Sequence, residues 1–119
     1  MGPHNGLLLP LPGDHGFVEI LNEGKIDRSQ RKITVAAYFL RPDKQSPLES
    51  LPTDVKVEIE GTGGKTIPLS PAANPPDPLS AARLVSAPGP YLLSQRNGEV
   101  SGTLNGERFT LGFDGGRLR

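Results

Sequence analysis

The segment Gly98–Phe113, GEVSGTLNGERFTLGF, decides how the chain folds. Asn105-Gly106 stands between two alternating runs, and these two residues tolerate the positive φ angles of a type I′ turn. The backbone twist of that turn matches the twist of paired strands, so it favours a two-residue hairpin. Closing the chain there sets the register: Leu104 faces Glu107, Gly102 faces Phe109 and Val100 faces Leu111. Phe109 then covers the bare backbone at Gly102, and Phe113 extends the same apolar face. Turn chemistry and hydrophobic period agree on a β-hairpin.

Working back from the hairpin, the same signal recurs in short runs. DVKVEIE (Asp54–Glu60) alternates cleanly, with Val55, Val57 and Ile59 on one side and Lys56, Glu58 and Glu60 on the other. RKITVAAYFLR (Arg31–Arg41) is the longest run. It carries Ile33, Val35, Ala37 and Phe39 on one face and Thr34, Ala36, Tyr38 and Leu40 on the other. That composition suits a central strand buried on both sides. FVEILN (Phe17–Asn22) follows a Pro-Gly-Asp turn, and Pro10 confines GLLLPL (Gly6–Leu11) to an edge or a strand end. GTGG leads into KTIPLS (Lys65–Ser70), read as one further run. PAANPPDP (residues 71–78) reads as a surface loop, since its prolines lack donors and restrict the residues before them. LSAARLVSA (Leu79–Ala87) fits a strand or one helical turn before Pro88.

Seven to nine short strands with frequent turns predict an all-β fold, an antiparallel β-sandwich of the Ig-like or a related Greek-key type. The expected core holds Val35, Phe39, Val55, Val57, Ile59, Val100, Phe109, Leu111 and Phe113. At 119 residues the chain makes one domain, 1–119, with residues 114–119 as a tail. Fifteen glycines and thirteen prolines fit a turn-rich β-domain.

Thirteen basic residues balance thirteen acidic ones, so no global positive surface exists to draw a nucleic acid. Basic residues cluster only at Arg28, Arg31 and Lys32 and at Arg117 and Arg119, and the aromatic residues do not interleave with them. No nucleic-acid partner is expected. With no cysteine there are no disulfides, thiol nucleophiles or thiolate metal sites. No apolar stretch approaches the roughly 20 residues of a spanning helix. MGPHNG lacks the basic and apolar regions of a signal peptide. An envelope location therefore implies a leader that is not in this sequence.

Both histidines lie near the start, in PHNGLLLPLPGDHGFVEIL (Pro3–Leu21). A hairpin joining the first two strands would bring His4 towards His15, and with Asp14 or Glu19 they would make a nitrogen and oxygen ligand set suited to zinc or copper(II). Such binding needs neutral imidazole and weakens in acid. Against it, this spacing matches no established ligand pattern, and Asp14-His15 sits in a turn where such residues are common. Solvent-exposed turn histidines are the simpler reading. Hydrolytic chemistry has less support. The serines fall in loops without a Gly-x-Ser-x-Gly elbow, and Glu58 and Glu60 lie on an outward strand face. GTGGK (Gly61–Lys65) lacks the Gly-Lys-Ser/Thr ending and following helix of a phosphate-binding loop. No catalytic residue and no cofactor are expected.

His4, Gly6, Glu19, Tyr38 and Asp43, within PHNGLLLPLPGDHGFVEIL, ITVAAYFLRPDKQSPL and the closing GERFTLGF, carry a family resemblance. The chain resembles small envelope β-domains of planctomycete-like bacteria, related in pattern to domains beside heavy-metal efflux adaptor subunits. Those domains open on His-x-Gly, place a Glu within the next strand, end a later strand in a Tyr–Asp element and close on an aromatic-rich strand. Here Tyr38 and Asp43 stand one residue further apart than in that pattern. The resemblance implies a non-enzymatic envelope module, periplasmic or extracellular, that works with a protein partner. Its alternative is a weak periplasmic zinc or copper accessory domain linked to efflux. A monomer is expected, and a cytoplasmic location is the alternative.

Overall fold

The computed structural model describes residues 6–23, 33–60, 66–72, 81–89, 91, 93 and 97–114. They form nine strands: β1 (Leu7–Pro10), β2 (Phe17–Glu23), β3 (Thr34–Leu40), β4 (Thr53–Ile59), β5 (Thr66–Pro68), β6 (Ser70–Pro71), β7 (Arg83–Val85), β8 (Asn97–Leu104) and β9 (Glu107–Asp114). A single 3-10 turn, Pro12–Asp14, joins β1 to β2. The strands make two antiparallel sheets in the orders β1-β2-β3-β7-β6 and β5-β4-β8-β9. The fold is therefore an all-β sandwich. Among the described residues no helix is long and apolar enough to cross a membrane.

The β8–β9 hairpin has the register its sequence dictates, pairing Leu104 with Glu107, Gly102 with Phe109 and Val100 with Leu111. Asn105 and Gly106 take φ values of 52° and 83°. The Phe109 ring lies so close to Gly102 that a β-carbon there would sit 3.1 Å from it. On β4, Val55, Val57 and Ile59 point inward while Glu58 and Glu60 are exposed. One departure is local: the β4–β8 register shifts between Thr53 and Lys56, where Asp54 adopts φ 53°.

The core between the sheets takes Val18, Ile20, Val35, Ala37 and Phe39 from the first sheet and Val57, Ile59, Val100, Phe109 and Phe113 from the second. Phe39 and Phe109 meet edge to face, with ring centroids 6.1 Å apart at 72°. Of the core read from sequence, only Leu111 is partly rather than fully buried. β3 is buried on both faces, as a third strand of five should be. Its outer side adds Ala36, Tyr38 and Leu40 to a second apolar cluster with Leu8, Phe17, Leu21 and Val85.

The run from Lys65 to Ser70 requires correction. It is two strands in different sheets: β5 pairs with β4, the chain crosses at Leu69, and β6 pairs with β7. Leu69 donates its backbone N–H to the Val55 carbonyl at 2.9 Å, which satisfies the backbone during the crossing. Pro71, expected to begin the surface loop, instead ends β6, which it can do because that edge pairing asks no donor of it. In the following segment, read as a strand or one helical turn, Ala81 and Ala82 take a 3-10 turn and Arg83–Val85 form a strand. Asp114, expected in the tail, ends β9. The Gly61–Lys65 turn, residues 73–78 of the loop, the Arg28–Lys32 cluster and the tail beyond Asp114 lie outside the described residues.

Candidate functional site

Three loops meet at one end of the sandwich. The first is the turn between β1 and β2, closed by a hydrogen bond from the Leu11 N–H to the Gly16 carbonyl at 2.9 Å. Gly16 is obligatory there: its φ is 141°, and a β-carbon would fall 2.0 Å from the Leu40 carbonyl oxygen. The second is the β3–β4 connection. Asp43 organises it by accepting from the backbone N–H of Gln45 at 2.8 Å, from the N–H of Ser46 at 2.9 Å and from the Ser46 hydroxyl at 2.7 Å. These donors, the Gln45 N–H foremost, hold the Asp43 carboxyl below the usual aspartate range, and Arg41 adds to the effect. The same loop places the Lys44 ammonium 4.7 Å from the Phe17 ring centroid. The third is the Asn105-Gly106 turn.

Between these loops lies an open cleft of about 350 Å³, lined by His15, Arg41, Leu48, Glu49, Ser50, Leu104 and Asn105. Arg41 donates to the Glu49 carboxylate across an exposed stretch of this rim. An imidazole, an ion pair and a side-chain amide are thus held on a rigid frame. Such groups can donate and accept hydrogen bonds, and loops carried on a rigid scaffold are where binding residues commonly sit.

The residues considered for a metal are placed as follows. His15 is exposed, at the C-terminal side of the 3-10 turn, and borders the cleft. Glu19 is fully buried on the outer side of β2, and its Oε2 accepts the Gly6 N–H at 2.9 Å. It therefore faces the start of β1, while His15 lies beyond the end of that strand. His4 and the Asp14 side chain lie outside the described residues. Among the described residues no group of three or more His, Asp or Glu side chains could hold a metal ion.

A polar network on the outer face of the first sheet was not singled out from sequence. Tyr38 donates its hydroxyl to Glu23 Oε2 at 2.6 Å, and Arg83 donates Nε and Nη2 to Glu23 Oε1 at 3.0 and 2.5 Å. Arg83 Nη1 also reaches the Ala72 carbonyl at 2.8 Å. Both charged side chains are about one-fifth to one-quarter exposed. Burial works against the guanidinium charge, but the hydrogen bonds and charge of Glu23 outweigh it and raise the Arg83 pKa. The network ties β2, β3 and β7 together and reaches Ala72, immediately after β6. It is a structural clamp. Asn22 supplies a second tie, donating to the Tyr91 carbonyl and accepting the Leu93 N–H, both at 2.8 Å. Glu23 and Arg83 lie far apart in the chain, so only the strand pairing of Tyr38 with Arg83 could have revealed them.

Compared with known proteins, the chain matches no family model and has no significant match among curated proteins or solved structures.

Proposed function

We propose that the chain is a non-catalytic interaction module of the bacterial cell envelope, built on an Ig-like sandwich and engaging a protein partner through its loop end. The observation that carries this reading is the cleft where the β1–β2 turn, the β3–β4 loop and the β8–β9 turn converge. The strand order supports the Ig-like part. β2-β3-β7-β6 and β5-β4-β8-β9 follow the A-B-E-D and C′-C-F-G arrangement of immunoglobulin domains, with β1 as an added edge strand. In that correspondence the β3–β4 loop and the β8–β9 turn take the places of the B–C and F–G loops, two of the three that bind in variable domains. Location outside the cytoplasm comes from the family resemblance alone.

The test is site-specific photocrosslinking in intact source cells, with the probe at Glu49 or, as a control, at Glu58 on the outer strand face. A discrete protein adduct from position 49 that is absent from position 58 supports the reading. Equal labelling from both positions, or fractionation of the protein with cytosolic markers, overturns it. A second reading, a weak zinc or copper accessory domain, rests on His15 and Glu49 bordering the same cleft.

A further inference from the structure

The chain holds three Asn-Gly steps: Asn5-Gly6, Asn97-Gly98 and Asn105-Gly106. Such a step can react with itself. The backbone nitrogen after the asparagine, once it gives its proton to solvent, attacks the side-chain Cγ. Ammonia leaves, a five-membered succinimide closes, and water opens the ring to aspartate or isoaspartate. Glycine favours the attack because no side chain shields its nitrogen. Two conditions remain with the fold. The nitrogen must be free of an acceptor that holds its proton, and the backbone must bring it beside Cγ.

At two of the steps the fold withholds the nitrogen. Gly6 donates its N–H to the buried Glu19 carboxylate at 2.9 Å, which holds the proton and opposes negative charge on the nitrogen. In β8 the Asn97 carbonyl accepts the Glu60 N–H at 2.8 Å, so residue 97 turns its backbone groups to β4 and Gly98 turns its own to β9. Gly98 thus joins Phe113 in one of the hydrogen-bonded pairs that recur at every second residue from Leu104 and Glu107. Its surroundings are tight as well: a β-carbon there would sit 2.3 Å from the Glu58 carbonyl oxygen.

Asn105-Gly106 meets both conditions. The last cross-strand bonds of the hairpin join Leu104 and Glu107, which leaves the Gly106 N–H outside the ladder. Both turn residues are exposed, and a β-carbon on Gly106 would meet nothing within 4 Å. Their φ values, 52° and 83°, fit a type I′ turn. Ring closure brings Cβ and the attacking nitrogen to the same side of the Asn105 Cα–C bond, which for an L-residue is a ψ of about −120°. That is the first central position of a type II′ turn, the other favoured hairpin turn, whose φ there is the same. Rotating the one peptide between Asn105 and Gly106 therefore reaches the reactive geometry with every β8–β9 pair in place.

We propose that Asn105 is a self-modification site, at which the turn converts a neutral side-chain amide on the rim of the loop-end cleft into a carboxylate. The Gly106 N–Cγ bond forms as the bond from Cγ to the amide nitrogen breaks. Water then cleaves either ring C–N bond, giving aspartate or isoaspartate, and the one by-product is ammonia. Asn105 borders the cleft with His15, Arg41 and Glu49, so the product adds a negative charge beside an existing ion pair. The isoaspartate form also lengthens the backbone of a two-residue turn by a methylene. The reaction needs no occupant of the cleft, so it stands or falls apart from the function proposed above.

The test is ageing of the full chain in mildly alkaline buffer, followed by tryptic digestion and electron-transfer fragmentation mass spectrometry. Asn97 and Asn105 fall on one peptide, between Arg96 and Arg108, so a single spectrum compares them. In the folded chain Asn105 should convert at least about 10-fold faster than Asn97 or Asn5, since those two need local opening first. In urea the three steps should converge to within about 3-fold, because no ladder or buried carboxylate then distinguishes them. Asn105→Gly keeps a Gly-Gly pair suited to the same turn and should remove the fast phase with the circular dichroism unchanged. Folded-state conversion of Asn97 or Asn5 as fast as that of Asn105 overturns the proposal. So does an Asn105 that reacts only once the chain is unfolded, or a fast phase of unchanged size in Asn105→Gly.

Discussion

Phe109→Ala tests the link between the hairpin and the core. Phe109 is 3% exposed, meets Phe39 edge to face and covers Gly102, so truncation removes buried area, an aromatic pair and a lid over bare backbone. Burial and the resulting cavity together make a Phe→Ala change cost about 3–5 kcal/mol. The edge-to-face contact accounts for about 0.5–1.5 kcal/mol of that. A domain of this size has about 5–15 kcal/mol in all, so the variant should remain folded with a much-lowered urea midpoint. Equilibrium urea unfolding, followed by far-ultraviolet circular dichroism, reads the difference directly. Gly102→Ala supplies an internal check, because its β-carbon would approach the Phe109 ring to 3.1 Å and Val55 Cγ2 to 3.0 Å. With Phe109 already truncated, part of that crowding disappears. The two substitutions should therefore be less than additive, with a coupling of about 0.5–3 kcal/mol. A Phe109→Ala loss below about 1 kcal/mol, or strict additivity with Gly102→Ala, would refute the packing described here.

Gly16→Ala should destabilise by at least about 1–3 kcal/mol, from positive-φ strain alone, with the clash against the Leu40 carbonyl adding to it; thermal unfolding checks this. Glu19→Leu should deprive the Gly6 N–H of its acceptor and speed its hydrogen exchange about 10-fold, whereas Glu19→Gln keeps an acceptor and should preserve protection. Asp43 should titrate below the other aspartates in carbon-detected NMR. Because its folded pKa is lowered, its contribution to stability is present above the ordinary aspartate range and is lost as pH falls through the lowered value; Asp43→Asn should flatten the acid limb of the stability curve. Calorimetry with zinc and copper(II) at pH about 7.5, where imidazole is largely neutral, should give no heat above buffer. Binding abolished by His15→Ala would instead favour the metal-accessory reading.

What the sequence disclosed depended on how local the deciding physics was. The β8–β9 register was legible because Asn105-Gly106 fixes it within two residues. The two-sided burial of β3 was legible because Ala36, Tyr38 and Leu40 leave little polar surface to expose. The split at Leu69 was not, since a strand that changes sheets has the same alternation as one that stays. Nor was the burial of Glu19 legible. A carboxylate between Phe17 and Leu21 is ordinarily a sign of solvent, and the Gly6 N–H that meets it inside comes from the neighbouring strand's start, which the local pattern does not announce. The loop-end cleft combines residues from three connections, so of its polar members only His15 stands out as a ligand in the sequence.

The crossing at Leu69 also bears on how fast the protein folds. Hairpins β1–β2 and β8–β9 close locally, but β3 must find β7 and β4 must find β8 across long intervening stretches. Sandwiches dominated by such pairings fold in milliseconds to seconds. Once β4 is in place, the Leu69–Val55 hydrogen bond anchors the chain at the point where it leaves one sheet and delivers Ser70–Pro71 to the other. Each sheet's completion thereby shortens the loop the other must close, and shorter loops carry less closure entropy. Refolding should accordingly proceed as one cooperative phase, with the two layers zipping together from a shared seam.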